Sequence, residues 1–275
     1  MTLYDLNTLG FLTVQGKDAV KFLQGQCTQD ISQLKQGIAT AGAFCTAKGR
    51  AITNVWLVKP EQDDCIHMLC AANSAEPLLN HLKKYIPFFR GTTMTDNSEQ
   101  FKLIGHASTD DSSLGEIKAL FQAQLPDERI IIAVENHSEQ LATLNLQASL
   151  WWQQQDIYQQ VLWLNSDQVE RFIPQNFSLD DLDGISYKKG CYTGQEVVAR
   201  LHFKGQSRKH LYRISWPTIE NKTDADIYTE AGVAGTIVQE TIDADQTIAL
   251  AVLSDRNLEQ LYADNERRVA VTLLD

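Results

Sequence analysis

The chain of 275 residues has no uninterrupted apolar run near the roughly 20 residues that span a bilayer, and its opening Met1-Thr2-Leu3-Tyr4-Asp5 lacks the basic start and apolar middle of an export signal. These two absences predict a soluble, cytoplasmic protein that does not associate with membranes. Cysteine is sparse and irregularly spaced, five residues in all, which fits reduced thiols and excludes a disulfide framework. There is no Cys-x-x-Cys pair, no His-Glu-x-x-His and no Gly-x-Ser-x-Gly, so zinc-peptidase and serine-hydrolase chemistry have no residues to stand on. The segment Gly42 to Lys48 lacks the second glycine and the hydroxyl residue after lysine that a phosphate loop requires. Positive charge is also short. Twenty-four Lys and Arg stand against 35 Asp and Glu, and the net charge of −11 repels a phosphate backbone over most of the surface. Direct nucleic-acid binding is therefore not expected. No repeat of solenoid period and no low-complexity tract is present.

What the chain does have is core material, 43% hydrophobic residues with 21% charged, over a length suited to two or three small packed units. Its scarce positive charge is concentrated: Lys188, Lys189, Arg200, Lys204, Arg208, Lys209 and Arg213 face the single acid Glu196 in that stretch. Such a cluster reads either as a solvated face or as the rim of a pocket for a small polyanion.

Apolar periodicity predicts a strand at Phe11–Val14 and a helix carrying Ala19, Phe22, Leu23 and Cys27. Strands follow from Thr40 to Val58, broken by a turn at Lys48-Gly49-Arg50, and again from Cys65 to Cys70. Pro77 suits the first turn of a helix that aligns Leu78, Leu79, Leu82 and Ile86. A second α+β passage consists of a strand at Phe101–Gly105, a helix over Leu114–Phe121, a strand at Ile130–Val134 and a helix over Leu150–Val161. After Gly205, Tyr212, Ile214 and Trp216 alternate with Leu211, Arg213 and Ser215 as a half-buried strand requires. Val233–Val238, Thr247–Leu253 and Arg268–Leu274 complete a small antiparallel barrel or sandwich. Within Cys65–Cys70, alternation turns Cys65 and His67 to one face and Cys70 to the other, which favours a core strand over a metal site.

The segment Asp183 to Arg200 differs in kind. Glycines at 184, 190 and 194 mark close turns, and Thr193 followed by Glu196 at the third position has the form of a capping box. Cys191 then lies just before a helix start, where free backbone N–H groups, Lys188 and Lys189 favour a negative sulfur. A buried packing cysteine in a glycine-rich helix entry and a functional thiol both fit this pattern.

The run Lys189-Gly190-Cys191-Tyr192-Thr193-Gly194-Gln195-Glu196 resembles the signature of the YgfZ family, folate-binding relatives of the glycine-cleavage aminomethyltransferase that include iron–sulfur assembly factors. Phe22-Leu23-Gln24-Gly25-Gln26-Cys27-Thr28-Gln29-Asp30, Ala47-Lys48-Gly49-Arg50, Leu82-Lys83-Lys84-Tyr85 and Phe172-Ile173-Pro174-Gln175 extend the likeness over nearly the whole chain. The resemblance implies an α+β fold, a GcvT-like three-part ring of two ferredoxin-like α+β units and a C-terminal antiparallel β-barrel, with a central folate-sized opening. The units fall at 1–100, 101–204 and 205–275, the first two able to interleave. It implies tetrahydrofolate or a one-carbon derivative as bound ligand, with Trp152 stacking on a ring and Asn54, Tyr192, Gln195, Glu196, Lys189 and Arg200 as further contacts. Cys191 is the implied catalytic residue, and no metal ligand is assigned. A second tryptophan that the family would place near the N-terminus is replaced in the neighbourhood of Leu9. Thr53-Asn54 stand where aminomethyltransferases carry two aspartates, and asparagine cannot hold their negative charge. The implied function is a monomeric folate-binding accessory protein without ordinary turnover. It serves iron–sulfur enzymes, radical tRNA-modifying enzymes among them, and through these tRNA modification. A tetrahydrofolate-dependent one-carbon transferase is the alternative, and a purely structural interaction module comes third.

Overall fold

The computed structural model describes residues 2–107, 112–205, 207–219, 225–255 and 258–274. The chain begins with β1 (Leu3–Asp5), β2 (Leu9–Gln15), α1 (Ala19–Gln24), β3 (Ala39–Cys45), β4 (Ala51–Val58), β5 (Cys65–Ala71), α2 (Ala75–Leu82) and β6 (Thr93–Asp96). It continues through β7 (Phe101–His106), β8 (Phe121–Gln124), β9 (Ile130–Glu135), α3 (Glu139–Thr143), β10 (Leu146–Gln147), α4 (Leu150–Tyr158) and α5 (Gln195–Lys204). It closes with β11 (Lys209–Pro217), β12 (Asp226–Thr229), β13 (Gly232–Asp243), β14 (Gln246–Ser254), β15 (Leu261–Tyr262) and β16 (Ala270–Leu274).

These strands build two five-stranded sheets, β3-β4-β5-β2-β6 and β10-β1-β7-β9-β8, and a closed barrel β11-β14-β13-β12-β15-β16. The first strand of the chain belongs to the second sheet, pairing antiparallel with β7 through Leu3 and His106. The two α+β units are thus interleaved at the N-terminus. Helices α1 and α2 cover one face of the first sheet, where Phe22, Leu23, Met68, Cys70, Leu78 and Leu82 form a dry cluster. Alternation along β5 sends Leu69 to the opposite face, into the largest apolar cluster, which gathers residues of both sheets, α4, the segment 161–185 and the outer face of the barrel. Trp56 and Trp152 lie there at 1% and 2% exposure. Burying an indole of their size contributes about 4–6 kcal/mol before entropy is counted.

Three sequence expectations are corrected. The helix over Leu114–Phe121 is instead a 3-10 turn at Ser112–Glu116, after which Phe121 enters β8 and packs edge-on against Phe11, ring centroids 5.4 Å apart. Helix α2 ends at Leu82 and does not reach Ile86; Pro87 has no N–H with which to continue an α-helical ladder, and Ile86–Phe88 forms its own 3-10 turn. On β11, Ile214 and Trp216 fill the barrel as expected, but Leu211 and Ser215 are buried too. Their face meets the rest of the protein: Arg213 Nη1 donates to the Tyr158 carbonyl at 2.7 Å, and Asn176 Nδ2 donates to the Lys209 carbonyl at 3.3 Å. Among the described residues no helix is long and apolar enough to cross a membrane.

Candidate functional site

The signature loop ahead of α5 is held by the polar segment that follows α1. Lys189 is buried, and its Nζ donates to the carbonyls of Cys27 and Gln29 at 2.8 and 2.7 Å. The Thr193 amide donates to the Gly25 carbonyl at 3.1 Å and its hydroxyl to Gln26 Oε1 at 3.0 Å. Thr28 Oγ1 donates to the Gly184 carbonyl at 2.7 Å, and Gln29 Nε2 reaches the Asp183 carbonyl at the same distance. The capping box is therefore not formed. Gly194, at φ +87°, precedes the helix without a side-chain cap, because the Thr193 hydroxyl is committed to Gln26.

The Lys48-Gly49-Arg50 turn closes the site from the other side. A Cβ at Gly49, φ +70°, would meet Val197 Cβ at 2.7 Å, and one at Gly194 would meet the Thr46 carbonyl at 2.5 Å. Only glycine permits both the backbone shape and the approach. The Ala51 amide donates to the Phe172 carbonyl at 2.8 Å, and Arg50 Nη1 donates to the Arg171 carbonyl at 2.9 Å, which joins the Phe172-Ile173-Pro174-Gln175 segment to the same turn. Segments separated by more than a hundred residues in sequence thus share one hydrogen-bonded knot.

Four cysteines are buried and Cys191 alone is exposed. Burial raises the thiols of Cys27 and Cys45, and raises Cys70 to about 12. Tyr192 is buried with its hydroxyl raised by desolvation and by nearby Cys45, Tyr187 and Cys27; Lys189 is lowered by desolvation, against the attraction of Cys27 and Asp30. Tyr192 OH, Thr46 Oγ1 and His81 Nε2, all in the neighbourhood of Cys45, are buried without a hydrogen-bond partner among the described residues. Gln195 is half-buried, and Glu196 and Arg200 are exposed along α5. Tyr187 stacks on His202 with centroids 3.7 Å apart, which brings exposed Lys188 beside the α5 half that carries Arg200 and Lys204. Sequence patterning did not single out this aromatic pair, since neither residue is part of an apolar period.

Trp152 and Asn54 lie away from this loop, in the shared core. Trp152 packs on Gly105, where a Cβ would come within 2.4 Å of the ring, and lies 4.3 Å from the Arg129 guanidinium. Asn54 Nδ2 donates to the Leu162 carbonyl at 2.6 Å and its Oδ1 accepts from the Leu164 amide at 2.8 Å, so the carboxamide sutures segment 161–165 to β4. Leu9 is buried at the start of β2. Another polar group escaped the sequence reading: Arg129 Nη2 donates to Asp156 Oδ1 at 2.8 Å, and Trp163 Nε1 donates to Asp156 Oδ2 at 3.1 Å. No local motif marks these residues, because the contacts join the residue before β9, helix α4 and the segment that follows it. The residues implied for folate thus fall into two groups, one around Tyr192 with an orphaned hydroxyl and free cations, the other already engaged by the chain's own packing.

Fold and loop together define a protein built on the aminomethyltransferase plan. Residues 1–126 match the family model of the GCVT N-terminal domain. The crystal structure of glycine cleavage system aminomethyltransferase T from Bartonella henselae superposes with a TM-score of 0.72 at 13% identity, covering 100% of this chain and 85% of that one. Within that plan, the chain is 30% identical over 238 residues to the tRNA-modifying protein YgfZ of Shigella sonnei, covering 78% of this chain and 72% of the relative. It is 32% identical over 239 residues to the protein of the same name from Pectobacterium carotovorum subsp. carotovorum, covering 77% and 69%. The chain belongs to the YgfZ family.

Proposed function

We propose that this protein is a folate-binding accessory factor that supports iron–sulfur enzymes and, through them, tRNA modification in the cytoplasm. The single observation that carries this reading is the knot around the signature loop, in which Lys189 and Thr193, on either side of the exposed thiol of Cys191, are bonded to the segment 26–29. A thiol displayed this way suits disulfide exchange or transient ligation of iron, which serine cannot replace. In this reading a reduced folate meets Tyr192 and Gln195, with Lys188, Arg200 and Lys204 facing its glutamate tail. In this reading the three units are taken as 1–100, 101–204 and 205–275, with β1 counted in the second.

The experiment compares Cys191→Ser and Cys191→Ala with the native chain in thermal unfolding, tetrahydrofolate titration and rescue of iron–sulfur enzyme activity in a deletion strain. Unchanged melting and folate binding with lost rescue is the expected result. Alkylation of the native protein is expected to label Cys191 ahead of the buried Cys27, Cys45, Cys65 and Cys70. Full rescue by both variants removes the thiol from the function. One-carbon transfer is the weaker reading, since Asn54 carries no charge and both ends of its amide are occupied. Incubation with an aminomethyl-lipoyl donor and tetrahydrofolate is expected to give turnover well below about one per second, and faster turnover reverses the preference.

A further inference from the structure

The chain that leaves α2 and enters β6 is free of negative charge: no acid stands between Glu76 and Asp96, although the sequence holds 35 of them. The same stretch carries Lys83, Lys84 and Arg90, all exposed. Local bonding fixes its shape. The Phe88 amide donates to the Tyr85 carbonyl at 3.1 Å, the Phe89 amide to the Ile86 carbonyl at 2.8 Å and the Thr92 amide to the Phe89 carbonyl at 2.9 Å. Tyr85, Ile86 and Phe89 pack on the dry cluster under α1 and α2, with the Phe89 ring 5.2 Å from that of Phe22. Phe88 is left outside. At 81% exposure it is the most exposed large apolar side chain among the described residues. Lys17 joins the same surface, since its stem lies across Gly91, where a Cβ would fall 2.5 Å from Lys17 Cγ. Lys21 is exposed on α1, one residue before Phe22. Among the described residues none of these five cations is held in an ion pair. Asp18, next to Lys17, and Glu170, whose charge reaches His81 at the end of α2, offset part of their charge.

An open aromatic ring among unpaired cations selects between partners. Lysine is depleted from protein interfaces, and four of these five cations are lysine. Insertion into a membrane surface takes a broad apolar face, whereas Phe88 alone stands clear of this loop. A nucleic-acid single strand takes what is present, a ring on which a base stacks and positive charge along the phosphate track. Unpaired bases are held open in the loops of folded RNA, while DNA is mostly paired, so RNA is the partner of this chemistry. We infer that Phe88, with Lys17, Lys21, Lys83, Lys84 and Arg90, binds single-stranded RNA, one base stacking on Phe88 while neighbouring phosphates meet the cations. The net charge of −11 does not prevent this, because acids farther off than a Debye length, about 8 Å at physiological salt, are largely screened. The segment 83–91 has no carboxamide with which to read base edges, so recognition is tolerant of sequence. This surface shares no residue with the folate contacts or with Cys191, and either reading can fail without the other.

The test titrates the full chain into a fluorescein-labelled oligouridylate of about twelve nucleotides and follows anisotropy from about 50 to 200 mM salt. Affinity is expected to fall with a log–log slope of about −2 to −3, as three or four single-strand phosphate contacts imply. Two variants at exposed positions separate the two parts of the surface. Phe88→Ala is expected to weaken binding about fivefold or more at every salt concentration while leaving the slope unchanged, since it removes stacking alone. The double variant Lys83→Gln, Lys84→Gln is expected to flatten the slope by about 1–1.5. Both should melt with the native protein. Absence of binding at 50 mM salt, with protein raised to about 100 μM, overturns the inference. So does binding that Phe88→Ala and the lysine variant leave intact, which places the strand elsewhere, or a slope change with no effect of Phe88, which leaves charge without stacking. Sedimentation with phosphatidylglycerol vesicles that depends on Phe88, in a protein that ignores the oligonucleotide, assigns the surface to membranes and overturns it too.

Discussion

At the scale of single residues, the chain contains two buried titratable groups whose pH dependences oppose each other. Asp156 is raised to about 7, chiefly by burial and against the pull of Arg129, whereas burial lowers His67 to about 4. A carboxyl with a folded pKa above its unfolded value near 3.9 lends stability that is complete below about pH 4 and is lost as pH rises through 7. An imidazole with a folded pKa below its unfolded value near 6.5 lends stability that is present above that pH and lost as pH falls through 4. Relative to the native protein, Asp156→Asn therefore gains stability as pH rises from about 4.5 to 6.5, and His67→Phe gains as pH falls across the same window. Urea midpoints at the two ends of the window decide it, and variants that track the native protein in parallel refute it. Cys191 belongs to this scale too. Its chemistry was legible as a cysteine in a glycine-rich loop, while its exposure is a product of the fold.

At the scale of elements, the site depends on two turns that must touch. Gly49 and Gly194 both adopt positive φ, and each stands where a side chain would strike the opposing turn. Gly194→Ala combines left-handed backbone strain of about 1–2 kcal/mol with a clash against the Thr46 carbonyl. The expected result is a loss of roughly 2–4 kcal/mol in denaturant unfolding, together with faster alkylation of Cys45 as the turns separate. Gly190→Ala is the control, since nothing lies within 4 Å of a Cβ there and its backbone is unstrained; it should change stability by less than about 0.5–1 kcal/mol. Equal losses in the two variants contradict this account. The sequence marked both Gly184-x5-Gly190-x3-Gly194 and the Lys48-Gly49-Arg50 turn. It predicted a Thr193 cap because local spacing is blind to Gln26, which takes the same hydroxyl.

At the scale of the whole molecule, the sheets and the barrel share one apolar cluster, and Trp163 sits at their meeting point. Its ring is 6.4 Å from Trp56, its Nε1 donates to Asp156 at 3.1 Å, and its amide donates to Gln239 of β13 at 2.9 Å. Trp163→Ala is expected to cost about 3–5 kcal/mol, as large-to-small core changes do, and also to leave the Asp156 carboxylate short of a donor. Because the cluster spans the units, native unfolding should be one calorimetric transition, and the variant should melt earlier. A barrel transition unchanged in Trp163→Ala shows that the units are energetically separate.

The sequence by itself determined the apolar runs that place strands at Phe11–Val14, within Thr40–Val58 and at Cys65–Cys70, the strand-rich C-terminal third, and the loop that carries the thiol, because apolar patterning and glycine chemistry are local. Tertiary structure decided what depended on distant partners. It placed β1 in the second sheet, turned Leu211 from a solvent-facing position into a buried one, and drew Lys189 away from Cys191 to the carbonyls of Cys27 and Gln29. It also engaged Trp152 and Asn54 in the core and, among the described residues, left His67 Nε2 without a partner. A buried hydrogen bond is satisfied by whatever residue the fold brings near, over separations as large as 162 positions here for Lys189 and Cys27, and no local pattern encodes that choice.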